Sequence, residues 1–170
     1  MAIALLSCKV ASVAEQGIKT IGQHFIVGPT PEEVLRGEYI LLIPKGKRVV
    51  VLSEGGGDNA ITVDKVEMQG LEVNVLGGEV QEKLKPFILE GLKPCNPIDY
   101  GGKAEENPHQ IIPACCEICM EDNSVDIIIT TGFFGGFKDI IAPRVEEFEK
   151  ETSRKVVELV KKTKNLCPIN

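Results

Sequence analysis

The run RVVVLS, residues 48–53, constrains this chain more than any other stretch. Val49, Val50 and Val51 are successive and β-branched, so a strand built from them presents apolar side chains to both faces. Such a strand is stable where both faces are covered, the setting of a parallel sheet packed between helices. The next residues fit that setting. Three glycines, Gly55, Gly56 and Gly57, lead into DNAITVDKVEMQG, where Ile61, Val63, Val66 and Met68 fall within a helix-length window closed by Gly70.

The same alternation continues along the chain. LEVNVL reads as a second strand, and GEVQEKLKPFILEG as a helix limited or kinked by Pro86. LKPCNPIDYGGKAEENP is dense in turn formers and reads as a long loop, a type that inside a compact domain is usually functional or disordered. HQIIPACCEICMED then predicts a helix, VDIIITTGFF a strand and GGFKD a second glycine turn. IIAPRVEEFEKETSRKVVELVKKTK predicts one long amphipathic helix with Val145, Phe148, Val156, Leu159 and Val160 inward and Lys161, Lys162 and Lys164 at its C-terminal end. NLCPIN resembles the start of a further strand. Strands alternating with helices predict an α/β, three-layer domain around a parallel sheet with right-handed crossovers.

With 170 residues the chain is long enough for one domain with a proper core. The regular pattern occupies residues 45–170, and the closing strand signal suggests a domain cut short in mid-fold. Residues 1–44 are less regular and read as an N-terminal extension packed on it. The opening MAIALLSC lacks a positive n-region and is taken as a buried strand or helix start. No later stretch reaches the ~18 apolar residues of a membrane span, so a cytoplasmic protein is expected.

A net charge of −6 without a basic cluster argues against nucleic acid and anionic membrane as partners, since both need a positive surface. An anionic ligand would have to be held by backbone dipoles. In a reducing compartment the six cysteines are thiols. Cys115, Cys116 and Cys119 contain a C-x-x-C spacing, but they sit in an apolar helical run with Ile111, Ile112 and Ile118. They are read as buried small hydrophobes, and no metal site is expected. His24 and His109 lack a nucleophile pattern around them, so no catalytic residue is assigned.

Both glycine turns fall at C-terminal ends of strands, where open parallel sheets bind ligands. Gly55, Gly56 and Gly57 would let a phosphate approach the amides of Asp58, Asn59 and Ala60 at a helix N-terminus. The triplet matches neither the dinucleotide fingerprint nor the P-loop. Asp58 is also a good N-cap, and a capping carboxylate occupies the amides a phosphate would use. Asn96 and Asp99 flank Pro97 in a rigid turn, where they either satisfy loop backbone or meet a ligand. Gly135 and Gly136 form the second glycine turn.

Taken in order, PKGKRVVVLSEGGGDNAITVDKVEMQGLEV, EKLKPFI, NPIDYGGKA and VDIIITTGFFGG resemble the ligase-type flavodoxin-like domain of the NDP-forming acyl-CoA synthetases, relatives of succinyl-CoA synthetase. The likeness covers residues 44–136. It implies a flavodoxin-like fold and a place in the conversion of acyl-CoA, phosphate and ADP or GDP to acid, CoA and ATP or GTP through a phosphohistidine. In the complete enzyme it implies CoA, ADP/ATP and Mg, none of them bound by this chain alone, with CoA-binding and ATP-grasp domains or subunits as partners. Surface buried in that assembly would here be exposed or used for a homo-oligomer.

By the same resemblance, Gly55, Gly56, Gly57, Asp58 and Asn59 would receive the phosphohistidine, and Asn96, Asp99, Gly135 and Gly136 would lie in adjoining ligand loops. Relatives commonly carry TNAGGPG where this chain has SEGGGDN, which places two acids at the turn. Either the carboxylates point away or part of the phosphate affinity is lost. No Ser-His-Thr-Gly loop occurs in the chain. A non-catalytic binding or regulatory module of the same fold, and an independent small-ligand flavodoxin-like protein, are the alternatives.

Overall fold

The computed structural model describes residues 2–7, 25–27, 40–42, 44, 46–134 and 145–165. Strands β1 (Ala2–Ser7), β4 (Val49–Ser53), β5 (Ile98–Asp99) and β6 (Ile127–Phe134) form a sheet of order β1-β6-β4-β5, parallel throughout. Strands β2 (Phe25–Val27) and β3 (Ile40–Leu42) form a separate antiparallel pair. The helices are α1 (Gly56–Met68), α2 (Gly78–Leu84), α3 (Lys103–Glu106), α4 (Pro108–Met120) and α5 (Val145–Asn165). A 3-10 turn, Lys85–Phe87, ends α2 where Pro86 interrupts the pattern. The class is α/β.

The two β-branched runs became the two inner strands. Ile127, Ile128 and Ile129 pair with Val49, Val50 and Val51 on one side and with Ala2, Ile3 and Ala4 on the other. Val49, Val50, Val51, Ile127, Ile128 and Ile129 are all buried, each contributing about 1.5–3 kcal/mol of transfer free energy relative to exposure. The core continues through Leu84, Ile88, Ile98, Tyr100 and Ile112 to Val156 and Val160.

Helices α4 and α5 pack together, with His109 stacked on Phe148 at 5.1 Å and Lys155 Nζ donating to the His109 carbonyl at 3.0 Å. Of the residues expected inward on α5, Val145, Val156 and Val160 are buried and Phe148 and Leu159 half-buried. Cys115, Cys116 and Cys119 are fully buried in α4. Burial, reinforced by the neighbouring ionisable groups, raises all three thiols, Cys119 to about 12, and a thiol held in its protonated form is a poor metal ligand.

LEVNVL did not become a strand. Its one ladder contact is an isolated bridge between Arg48 and Glu72, closed by Val49 N–H to Glu72 O at 2.7 Å and Glu72 N–H to Lys47 O at 2.9 Å. The next position beside β4 is taken by a side chain. Asn96 Oδ1 accepts the Val51 N–H at 3.0 Å, while its Nδ2 donates to Val49 O at 2.7 Å and to Asn74 O at 2.9 Å. The carboxamide thus stands in for a peptide unit between Glu72 and β5, because it carries the same donor and acceptor as backbone.

On α1 the inward residues are Asn59, Thr62 and Val66, whereas Ile61 and Met68 are exposed. The expected strand in NLCPIN, the turn at Gly135 and Gly136, and His24 lie outside the described residues.

Candidate functional site

Because β4 and β6 run parallel in register, their C-terminal ends meet. Ser53 pairs with Thr131 of β6 on one side and Asp99 of β5 on the other. Ser53 is fully buried, and its Oγ donates to Gly55 O at 2.9 Å while accepting the Gly55 N–H at 3.2 Å. This small hydroxyl turn sets Gly55 extended, at φ −164° and ψ 146°, as the residue preceding α1.

Helix α1 therefore begins at Gly56, two residues before the start expected at Asp58, and Asp58 lies in the first turn instead of capping it. Asn59 N–H closes that turn on Gly55 O at 3.1 Å. The amides of Gly56, Gly57 and Asp58 precede it and have no intrahelical acceptor, and no side chain caps the helix. A Cβ placed on Gly55 or Gly57 would meet nothing within 4 Å, so the backbone here is open to a ligand.

Of the two acids that sequence reading placed at this turn, Glu54 is held toward α3, while Asp58 stays at its margin. Glu54 Oε2 accepts the Gly102 N–H at 3.0 Å, at the start of α3, where Gly102 adopts the left-handed conformation with φ +83°. Glu54 Oε1 is buried without a hydrogen-bond partner. Burial above all, then Glu105 and Asp99, push this carboxyl up to about 7, against the opposing pull of the Gly102 and Ala104 amides. Asp58 is exposed, with Oδ2 only 2.8 Å from where a Cβ on Gly132 would stand.

Gly132, like Gly102, is a residue of this region that sequence reasoning missed. It has φ +80°, and a Cβ there would also lie 3.3 Å from Glu54 N. The β1–β6 register becomes irregular around it, since Leu5 faces Thr130 and Ser7 faces Phe134. An isolated glycine inside a strand pattern, as in IIITTGFF, is the signal that marks such an approach.

Asp99 does reach the turn. Its Oδ1 accepts the Gly101 N–H at 2.8 Å, and its Oδ2 lies 3.6 Å from a Cβ position on Gly56. Asn96 does not, because both ends of its amide are consumed by β4 and Asn74. Asn59 is buried at 4% exposure, and its Oδ1 has no hydrogen-bond partner. The structure thus brings together Gly55, Gly56, Gly57, Asp58, Asn59 and Asp99, adds Glu54, Gly102 and Gly132, and leaves Asn96 in the sheet.

Chemically, the site offers uncapped amide donors at a helix N-terminus with carboxylates at its margin. Among the described residues, no three His, Cys, Asp or Glu side chains converge as a metal site, and no helix is long and apolar enough to cross a membrane.

No protein-family model matches the chain. Over 87 residues, 51% of its length, the chain is 28% identical to the alpha subunit of acetate–CoA ligase [ADP-forming] II from Pyrococcus furiosus, and the match spans 18% of that subunit. This partial likeness supports a relationship to the NDP-forming acyl-CoA synthetases without singling out one of their domains.

Proposed function

We propose that this chain is a flavodoxin-like module of an NDP-forming acyl-CoA synthetase, and that α1 receives the phosphorylated histidine loop of a partner domain or subunit. The observation that carries the reading is the uncapped first turn of α1, with Gly56, Gly57 and Asp58 offering their amides beside open space at Gly55 and Gly57. A phosphohistidine carries about two negative charges, and a helix N-terminus supplies matching donors and about half a positive charge. The likeness to an ADP-forming ligase subunit supports the relationship to this enzyme family. The histidine loop, the CoA-binding domain and the ATP-grasp domain would come from partners, and CoA, ADP and Mg would act there.

A second reading, a binding or regulatory module of the same fold, is favoured by the carboxylates of Asp58 and Asp99 close to the turn. Amide chemical shifts recorded during titration with inorganic phosphate separate the two. The first predicts saturable shifts at Gly56, Gly57 and Asp58 in the native chain, with Asp58→Ala tightening binding about three- to tenfold through relief of like-charge repulsion. A silent native chain beside a binding Asp58→Ala variant selects the second reading. Silence from both removes the phosphate site.

A further inference from the structure

The segment LEVNVL, residues 71–76, is tied to the sheet on its inner side and open on its outer one. Residues 71–77 form neither helix nor turn, so their backbone groups alternate in direction. Glu72 turns both of its groups to β4, accepting the Val49 N–H and donating to Lys47 O, and Asn74 O accepts from the Asn96 amide beside β4. Val73 and Val75 therefore point their N–H and C=O away from β4. Neither makes a backbone hydrogen bond to another described residue.

This edge is also apolar and unguarded. Val75 is 74% exposed, as is Met68 in the last turn of α1, three residues before the segment begins. Exposed edges are ordinarily blunted by lysine, proline or a bulge. Residues 71–78 contain no lysine, arginine or proline, and their one charge is Glu72. Cβ positions on Gly77 and Gly78 meet nothing within 4 Å, so the far end of the segment is uncrowded.

We propose that this edge is an interface between two copies of the chain, paired antiparallel about a two-fold axis at Asn74. In that register Val73 stands opposite Val75 of the second copy and exchanges both backbone bonds with it, and symmetry repeats the exchange. Side chains opposite each other share a face, so the valines also make β-branched cross-strand contacts. Glu72 falls opposite Leu76 and Leu71 opposite Gly77, so no like charges meet and the glycine leaves room for the leucine. The neighbouring registers are poorer. An axis at Val73 would call on the Leu71 N–H, which Val66 O already holds at 3.3 Å, and an axis at Val75 would call on Gly77 O, which accepts from Gln81 at 3.0 Å. A second copy brings the same unpaired groups in the complementary order, so one pairing covers both edges.

Sedimentation equilibrium of the full chain from about 1 μM to about 1 mM is expected to show monomer and dimer exchanging, the affinity range that suits so small an interface. Val75→Pro removes the donor from each symmetric pair while breaking no hydrogen bond within the described chain. It is expected to weaken the dimer about tenfold or more. A native chain that stays monomeric throughout, or a Val75→Pro dimer as strong as the native one, overturns the pairing.

Asn74→Cys tests the register separately. The residue on the axis sits at a non-hydrogen-bonded pair with Cα atoms about 4.5 Å apart, within disulfide reach. Mild oxidation is expected to cross-link this variant into dimers well beyond the native chain and beyond Glu158→Cys, placed on the exposed side of α5. Cross-linking no greater than in those two controls refutes the two-fold pairing at Asn74.

Discussion

At the N-terminal end of β4, Arg48 grips Asp126 with Nε to Oδ2 at 2.7 Å and Nη2 to Oδ1 at 2.9 Å, and the Arg48 N–H adds a third contact at 3.1 Å. A few residues along, the Asn96 amide fills the ladder. At the C-terminal end, amides lack a side-chain cap, and Glu54 Oε1 and Asn59 Oδ1 are buried without partners. One strand thus carries a closed polar network at one end and an open one at the other. Buried polar groups left unpaired cost stability, so the C-terminal end of this strand is the costlier of the two to hold folded.

The contrast breaks most visibly at Asn96. Asn96→Ala leaves Val49 O, Val51 N–H and Asn74 O without their partner, a loss of about 3 kcal/mol by chemical denaturation; a loss below about 1 kcal/mol would mean that water or LEVNVL backbone replaces the amide. Gly132→Ala at the open end is expected to cost about 2 kcal/mol, because φ +80° disfavours a Cβ and the added carbon would lie 2.8 Å from Asp58 Oδ2. It should also displace Asp58 and alter anion binding, which no change at Asn96 should do while the fold persists.

The smallest effects have opposite signs at the two ends. The hydrogen bond from Arg48 holds Asp126 below the usual carboxylate range. A depressed folded pKa contributes stability that is present above the unfolded value and lost as pH falls through the folded one, and Asp126→Asn should abolish that acid-side loss. Glu54 is raised from 4.5 to about 7. Its charge therefore costs nothing below the unfolded value, an increasing amount between the two, and a constant amount above the folded one. Glu54→Gln should raise stability above about pH 7 by about 1 kcal/mol, discounted for the partial exposure of the group, and leave it unchanged near pH 4. Melting curves of the two variants across pH test the pair, and a shared sign would erase the contrast.

Much of the fold was legible in the chain. Uninterrupted β-branched runs have no stable place except inner strands, and they became β4 and β6. CCEIC in an apolar helical run became buried thiols. LEVNVL failed because a strand needs a neighbour with free ladder groups, and Asn96, 22 residues beyond Asn74, had taken them. No local pattern announces that a loop asparagine will replace a strand residue.

The site divides in the same way. The glycine turn was visible because a strand, a glycine run and a helix are local features, set by backbone freedom and side-chain period. Where the acids went was not, because one oxygen of Glu54 is held by Gly102, 48 residues away, and Asp58 is accommodated by the missing Cβ of Gly132. The order of residues was enough to present amides at the end of β4. It took the packing of β5, α3 and β6 around that end to choose which charges would stand beside them, since burial and neighbouring carboxylates, not residue identity, set the proton affinity of Glu54.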